Sequence, residues 1–137
     1  MERHETTIIT GDNELDELHQ WLSGMDDRLD TLLSVKVRTS VHEIFTNISR
    51  HAYQNISGKP ISLSLEITNN SVHIELSDKG REFTGATSDY FRQLPYPESG
   101  MGLYAARAAA DNLQYTRTSD MTNRWILEFK YTKNEAK

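Results

Sequence analysis

Glu43-Ile44-Phe45-Thr46-Asn47-Ile48-Ser49-Arg50-His51-Ala52 is the stretch that organises this chain, because two spacings coincide in it. Val37, Val41, Ile44, Ile48 and Ala52 recur every three or four residues, the apolar stripe of an amphipathic helix packed on a core. The pattern predicts a helix from about Leu32 to Tyr53, stopped by Asn55-Ile56-Ser57-Gly58-Lys59-Pro60. Glu43, Asn47 and His51 recur every four residues and advance by only about 40° per step around the helix. They form a polar stripe beside the apolar face, where a side chain is partly dry yet able to reach a ligand. A carboxylate there can act as general base, and a carboxamide oxygen is a hard, neutral ligand suited to Mg2+. The same stripe is also the ordinary flank of an amphipathic helix, so taken alone it specifies a helix and leaves the chemistry open.

Working outward, Thr6 to Thr10 is a short β-branched run ending in Gly11-Asp12, a strand and a turn. Asp12 or Asn13 can cap a helix carrying Leu15, Leu18, Trp21 and Leu22, which Gly24 interrupts and Asp26 or Asp27 restarts. Beyond the central helix, Ile61 to Thr68 and Val72 to Ser77 alternate as a hairpin around Asn69-Asn70, residues that tolerate left-handed backbone. Gly80 to Ser99 has no sustained period, and a loop of that length in one domain reads as a lid or binding loop. Its Tyr90, Phe91 and Tyr96 are candidate partner contacts. An alanine-rich helix from Gly102 to Asn112 and strands Leu113 to Thr118 and Trp125 to Thr132 complete the order β-α-α-β-β-α-β-β. Lys133 to Lys137 reads as a frayed tail. The expected architecture is α+β: a two-layer sandwich with helices on one face of a mostly antiparallel sheet.

Two further segments give the polar stripe a context. Ile74-Glu75-Leu76-Ser77-Asp78-Lys79-Gly80 ends an apolar strand in an acid and a glycine. That is a turn signal, but a buried aspartate needs a donor, which the exocyclic amine of adenine would supply. Gly80 would then let the backbone pass close to the base. Glu98-Ser99-Gly100-Met101-Gly102-Leu103 leads directly into a helix. Glycines there let successive N–H groups converge on an anion, and the helix dipole favours negative charge at that end. It is not a Walker loop, since no Gly-Lys-Ser/Thr follows. Each segment has a bland explanation; the three together, in order and on suitable elements, describe a site for ATP with its metal ion.

Composition limits the alternatives. A chain of 137 residues is one ordinary domain, 1–137, and 36% hydrophobic with 26% charged residues is a globular composition. A net charge of −5 with no basic stripe argues against direct nucleic-acid binding. No apolar run approaches the roughly 20 residues a membrane helix needs. The start, Met1-Glu2-Arg3-His4-Glu5, is too polar for a signal peptide, so a cytoplasmic location without membrane contact is expected. With no cysteine, disulfides and thiolate metal sites are excluded.

Glu43/Asn47/His51-Ala52, Asp78-x-Gly80 and Gly100-x-Gly102-Leu103 resemble the N box and the two glycine boxes of the GHKL (Bergerat-fold) ATPases. The short lid with Ser99-Gly100-Met101-Gly102 before the last helix is similar to the anti-sigma-factor serine kinases of bacterial partner switching. The resemblance spans roughly Leu32 to Tyr131. It implies a histidine-kinase-like ATPase fold that binds Mg-ATP and phosphorylates a serine on a STAS-type anti-sigma-factor antagonist. It also implies inhibitory binding to a sigma factor or equivalent target, and it is compatible with a homodimer. Carried over by position, Glu43 would be the catalytic base, Asn47 the Mg2+ ligand, and Asp78 and Gly80 the adenine contacts. Ser99, Gly100, Met101, Gly102 and Leu103 would form the phosphate segment, with His51 at a further position of the nucleotide site.

Two departures stand out. Glu82 occupies the place of a second glycine in the family's Asp-x-Gly-x-Gly, which adds negative charge near a polyphosphate. The last strand begins Thr122-Asn123-Arg124-Trp125 where the family often has Gly-Thr, so the threonine contact to adenine is either missing or moved to Thr122. These departures keep a second function in view, a nucleotide-gated binding module that regulates by sequestration alone. A detached histidine-kinase catalytic domain is a third reading, weakened by the short lid.

Overall fold

The computed structural model describes residues 2–83 and 101–131. Strand β1 (Glu2–Ile9) leads into α1 (Glu14–Leu22) and a single 3₁₀ turn (Ser23–Met25). Helix α2 (Thr31–Asn47) runs into a π-helical turn (Ile48–Ala52). The hairpin β2 (Pro60–Ile67) and β3 (Ser71–Asp78) follows, then α3 (Met101–Ala109), β4 (Asn112–Arg117) and β5 (Asn123–Lys130). The strands form one sheet in the order β1-β2-β3-β5-β4, with every neighbouring pair antiparallel.

Strand alternation makes the sheet two-faced. Ile61, Leu63, Leu65 and Ile67 of β2 are buried with Val72, Ile74 and Leu76 of β3 and with Trp125, Leu127 and Phe129 of β5. The intervening residues point to the other side, where Arg124 pairs with Glu75, His73 with Glu128, and Arg3 with Glu66. The helices cover the apolar face. Val37, Val41 and Ile44 of α2 and Ile48 at the start of its π-helical turn, the stripe expected from sequence, are all fully buried, and α2 lies along α3. Each such side chain contributes about 1.5–3 kcal/mol of burial. Among the described residues no helix is long and apolar enough to cross a membrane. The expected α+β sandwich with helices on one face is therefore the observed fold.

Boundaries differ where tertiary contacts override local pattern. The helix expected to run to Tyr53 changes its bonding pattern after Asn47: Tyr53 N–H reaches back five residues to the Ile48 carbonyl at 2.9 Å. Gln54 and Asn55 then take positive φ (55° and 61°) and turn the chain out. Asn13 sits at the cap of α1 without a side-chain bond; the Glu14 carboxylate instead accepts from Gly11 N–H at 3.1 Å. Asp30, not Asp26 or Asp27, caps α2 by accepting from Leu33 N–H at 2.8 Å. Asp26 is engaged with Arg38, both oxygens lying 2.8 Å from Nη2. Strand β1 begins earlier than expected, because pairing with β2 recruits the charged Glu2, Arg3 and Glu5 that its sequence alone does not favour. Helix α3 stops at Ala109, since Asp111 N–H already bonds the Glu128 carbonyl of β5 at 2.9 Å. Of the long loop only residues 80–83 are described; Tyr90, Phe91 and Tyr96 lie outside the described residues.

One side chain ties the end of the helical layer to the sheet. The buried Tyr53 hydroxyl donates to the Pro60 carbonyl at 2.6 Å and accepts from Lys79 N–H at 2.9 Å, joining the start of β2 to the residue that follows β3. Tyr53→Phe removes both bonds and leaves two main-chain groups unpaired. It should lower stability by about 1–3 kcal/mol in urea denaturation, with the denaturant slope unchanged.

Candidate functional site

Alternation along β3 puts Val72, Ile74 and Leu76 in the core, and the next inward position is Asp78. A carboxylate thus arrives at the rim of an apolar layer by strand parity alone. It is 3% exposed. Its Oδ1 accepts from Gly80 N–H at 2.8 Å and from the Asn123 side-chain amide at 2.9 Å. Its Oδ2 is buried and has no hydrogen-bond partner among the described residues. Burial raises its pKa above the usual carboxylate value; the Asn123 and Gly80 hydrogen bonds and the charge of Arg117 act in the opposite direction.

A cavity of about 450 Å³ opens beside this group, lined by Asn47, His51, Ala52, Asp78, Arg81, Glu82, Phe83, Tyr115, Asn123 and Trp125. That volume lies within the range of small-molecule sites. One wall is aromatic: Tyr115 and Trp125 ring centres are 4.7 Å apart, and Phe83 lies 5.0 Å from Trp125 and 5.8 Å from Tyr115. The opposite wall is the end of α2 and its π-helical turn, which contribute Asn47, His51 and Ala52. π-Helical turns recur at functional sites, and here the turn brings Ala52 against the end of β3.

The residues singled out from sequence divide accordingly. Asn47, His51 and Asp78 meet in the cavity. Glu43 is half-buried one turn earlier on α2 and is not part of the cavity lining. Gly80 is close to protein rather than to open space: a Cβ built on it would lie 2.5 Å from the Ala52 carbonyl oxygen and 2.8 Å from the Ala52 Cβ. Its φ is not in the left-handed region. The glycine is therefore required by the approach of β3 to the helix end, where Arg81 N–H donates to the Ala52 carbonyl at 2.9 Å. Met101 and Gly102 are the first two residues of α3, and the Leu103 side chain belongs to the core, 3% exposed. Ser99 and Gly100 lie outside the described residues. Glu82 is exposed at the cavity rim.

Sequence reasoning missed Asn123. Thr122, the residue expected to take over the threonine contact, accepts from Lys79 Nζ at 2.9 Å and does not line the cavity. Asn123 instead stands opposite Asp78 in the β3–β5 register and is 1% exposed. The available signal was parity: Asn123, Trp125, Leu127 and Phe129 share the inward face of β5, and an inward asparagine needs partners. The same argument finds Tyr115 and Arg117, which follow Leu113 on the inward face of β4.

The model of the histidine kinase-like ATPase domain matches residues 13–127, most of the chain. This chain belongs to that family. No curated protein matches it. As a histidine kinase-like ATPase domain it is a nucleotide-binding protein of a kind that acts as kinase or ATPase, and the cavity fits that expectation: a buried acceptor without a donor among the described residues, an aromatic wall able to stack on a base, and a carboxamide on the facing helix. Adding a methyl group at Gly80 tests how tightly the cavity is built. Gly80→Ala should separate β3 from Ala52, lower stability by roughly 1–3 kcal/mol in chemical denaturation, and abolish the ATP-induced rise in melting temperature.

Proposed function

We propose that this histidine kinase-like ATPase domain is an ATP-dependent protein-serine kinase and anti-sigma factor of a bacterial partner-switching system. It phosphorylates a serine of a STAS-type antagonist protein and sequesters a sigma factor or equivalent target when that antagonist is withdrawn. The observation that carries the nucleotide part of this reading is that Asp78, whose buried Oδ2 has no partner among the described residues, lines a cavity of nucleotide size. An amino group of adenine would give it the missing donor, and Phe83, Tyr115 and Trp125 offer the base an apolar wall. Asn47 would hold Mg2+ through its carboxamide oxygen. Met101 and Gly102 stand at the start of α3, where main-chain N–H groups and the helix dipole favour phosphate. Bound Mg-ATP supplies the transferable phosphoryl group. Glu43, one helical turn from Asn47, would accept the proton of the incoming serine hydroxyl as its oxygen takes the γ-phosphoryl group and ADP departs.

The sequestration-only reading rests on a specific observation, the Glu82 carboxylate at the cavity rim. A negative charge there opposes a polyphosphate and favours a nucleotide-gated binding module without turnover.

Incubation with Mg-ATP and the cognate antagonist should place a serine phosphate on the antagonist, and Glu43→Ala should reduce that rate at least about 100-fold with ATP affinity retained. Phosphotransfer that is equally fast in Glu43→Ala would falsify the assignment of the base. An ATP-dependent melting shift with no phosphate transferred would establish the sequestration-only reading.

Asp78 gives an independent check. Asp78→Asn replaces the acceptor by a donor and should weaken ATP about 10–100-fold, the value of a hydrogen bond to a charged group. Because it also removes a buried charge, its melting temperature should be equal to or above that of the parent. Burial raises the folded-state pKa above the unfolded value of 3.8. The folded chain therefore keeps the proton where the unfolded chain has lost it, so Asp78 contributes stability at low pH that disappears as pH rises through that window. ATP binding should run the other way, weakening as pH falls and Oδ2 becomes protonated. Calorimetric titration across acidic pH measures both the affinity and its proton linkage.

A further inference from the structure

Asp78, Asn123 and Arg117 lie in one cross-strand row of the sheet, on β3, β5 and β4: Asp78 is paired with Asn123, and Asn123 with Arg117. Their hydrogen bonds run in one direction. Arg117 Nη1 lies 2.8 Å from Asn123 Oδ1, and Asn123 Nδ2 lies 2.9 Å from Asp78 Oδ1. A guanidinium can only donate, so the end of the Asn123 carboxamide facing Arg117 must be its oxygen. The other end, turned to Asp78, must then be its nitrogen, which can also only donate. Asp78 Oδ1 is thereby made an acceptor, a role that Gly80 N–H reinforces from the far side at 2.8 Å.

Every hydrogen-bonding group of Asn123 is occupied. Its Nδ2 also approaches the Arg81 carbonyl at 3.0 Å and the Gly80 carbonyl at 3.2 Å, and its Oδ1 accepts from the Tyr115 hydroxyl as well as from Arg117. A ligand in the cavity therefore meets no vacant group on Asn123. The oxygen of the row that has no partner among the described residues is Oδ2 of Asp78, a residue that lines the cavity.

We propose that Arg117, acting through Asn123, is a specificity-determining positioning residue: it polarises the row so that Asp78 offers the cavity an acceptor, which selects a purine with an amino group at its six position over one with a carbonyl there. This rests on the nucleotide reading given above and extends it to a residue that does not line the cavity. A carbonyl placed against Oδ2 would bring two acceptors together in a buried site, the arrangement that discriminates most strongly between close analogues. Were the Asn123 carboxamide reversed, its oxygen would face Asp78, the carboxyl would have to hold a proton to satisfy the contact, and the discrimination would weaken. Arg117 opposes this reversal from the Oδ1 side, as the Arg81 and Gly80 carbonyls do from the Nδ2 side. The charged and titratable groups around Asp78 include Arg117 on β4, Tyr53 after the π-helical turn, Lys79 beside it on the chain, and His51, Arg81 and Glu82 around the cavity.

The discriminating measurement is the ratio of ITP to ATP dissociation constants, since the two nucleotides differ at the six position of the base. The full chain should prefer ATP at least about tenfold. Arg117→Met, which keeps much of the apolar stem and removes the donor, should lower that ratio at least about fivefold. It should also move the acid limb of ATP binding to higher pH. Arg117→Lys, which restores a group that can only donate, should recover most of the ratio. Arg117 is only half-buried, so these variants probe the row without opening the core, whereas Asn123 is 1% exposed and its replacement serves as a second test if the variant folds. An unchanged ratio and pH profile in Arg117→Met would overturn this inference and leave the nucleotide reading standing. A parent chain that binds neither ATP nor ITP would overturn both.

Discussion

A carboxylate in an almost dry site, held on one side only, is the constraint on which this structure turns. Asp78 is the last inward residue of a strand otherwise devoted to the core, and burying it is unfavourable unless donors surround it. Two donors reach Oδ1 and none among the described residues reaches Oδ2. Much else follows from keeping it there. Asn123 must be inward on β5, Arg117 must be inward on β4, and the turn after β3 must bend back so that Gly80 N–H faces the carboxylate. Gly80 in turn leaves no room for a side chain against Ala52. An energetically poor group has thus become the point to which three strands and the end of a helix are fitted, as is common where function and stability pull apart.

The fold was largely legible in the sequence because its signals were local and periodic. The Val37-Val41-Ile44-Ile48 stripe and the alternation in Ile61 to Thr68 and Val72 to Ser77 each report directly which face is buried. What was not legible depended on partners remote in the chain. Strand β1 starts at Glu2 because β2 lies beside it, and nothing in Glu2-Arg3-His4-Glu5 says so. Helix α2 widens into a π-helical turn that delivers Tyr53, whose hydroxyl bonds the remote Pro60 and Lys79. Asp30 rather than Asp26 caps α2 because Asp26 has Arg38 to hold. Local propensity names the candidates, and tertiary contact chooses among them.

The site was legible in the same uneven way. Asn47, His51 and Asp78 were identified from spacing and do converge, since helix and strand periodicity carry a side chain's direction as well as its element. Gly80 was identified for a reason that the structure revises: its smallness serves the packing of β3 on Ala52. Asn123 was overlooked in favour of Thr122 because motif matching counts residues, whereas the strand register counts faces. One step along a strand moves a side chain to the opposite side of the sheet, and that single step separates a residue bonded to Lys79 on the surface from one at the centre of the site.

Strand β4 is at the edge of the sheet as described, bonded to β5 and, among the described residues, to no other strand. It nevertheless carries Tyr115 and Arg117, both of which act on Asn123. Parts of a fold can open locally at free energies below that of global unfolding. A local opening of β4 would therefore break the Asp78 row while the rest of the core stays folded. A temperature or solvent change too mild to disturb the core can still change the fraction of molecules in which the Asp78 row is intact. Amide exchange in β4 is the clock by which that fraction would be read.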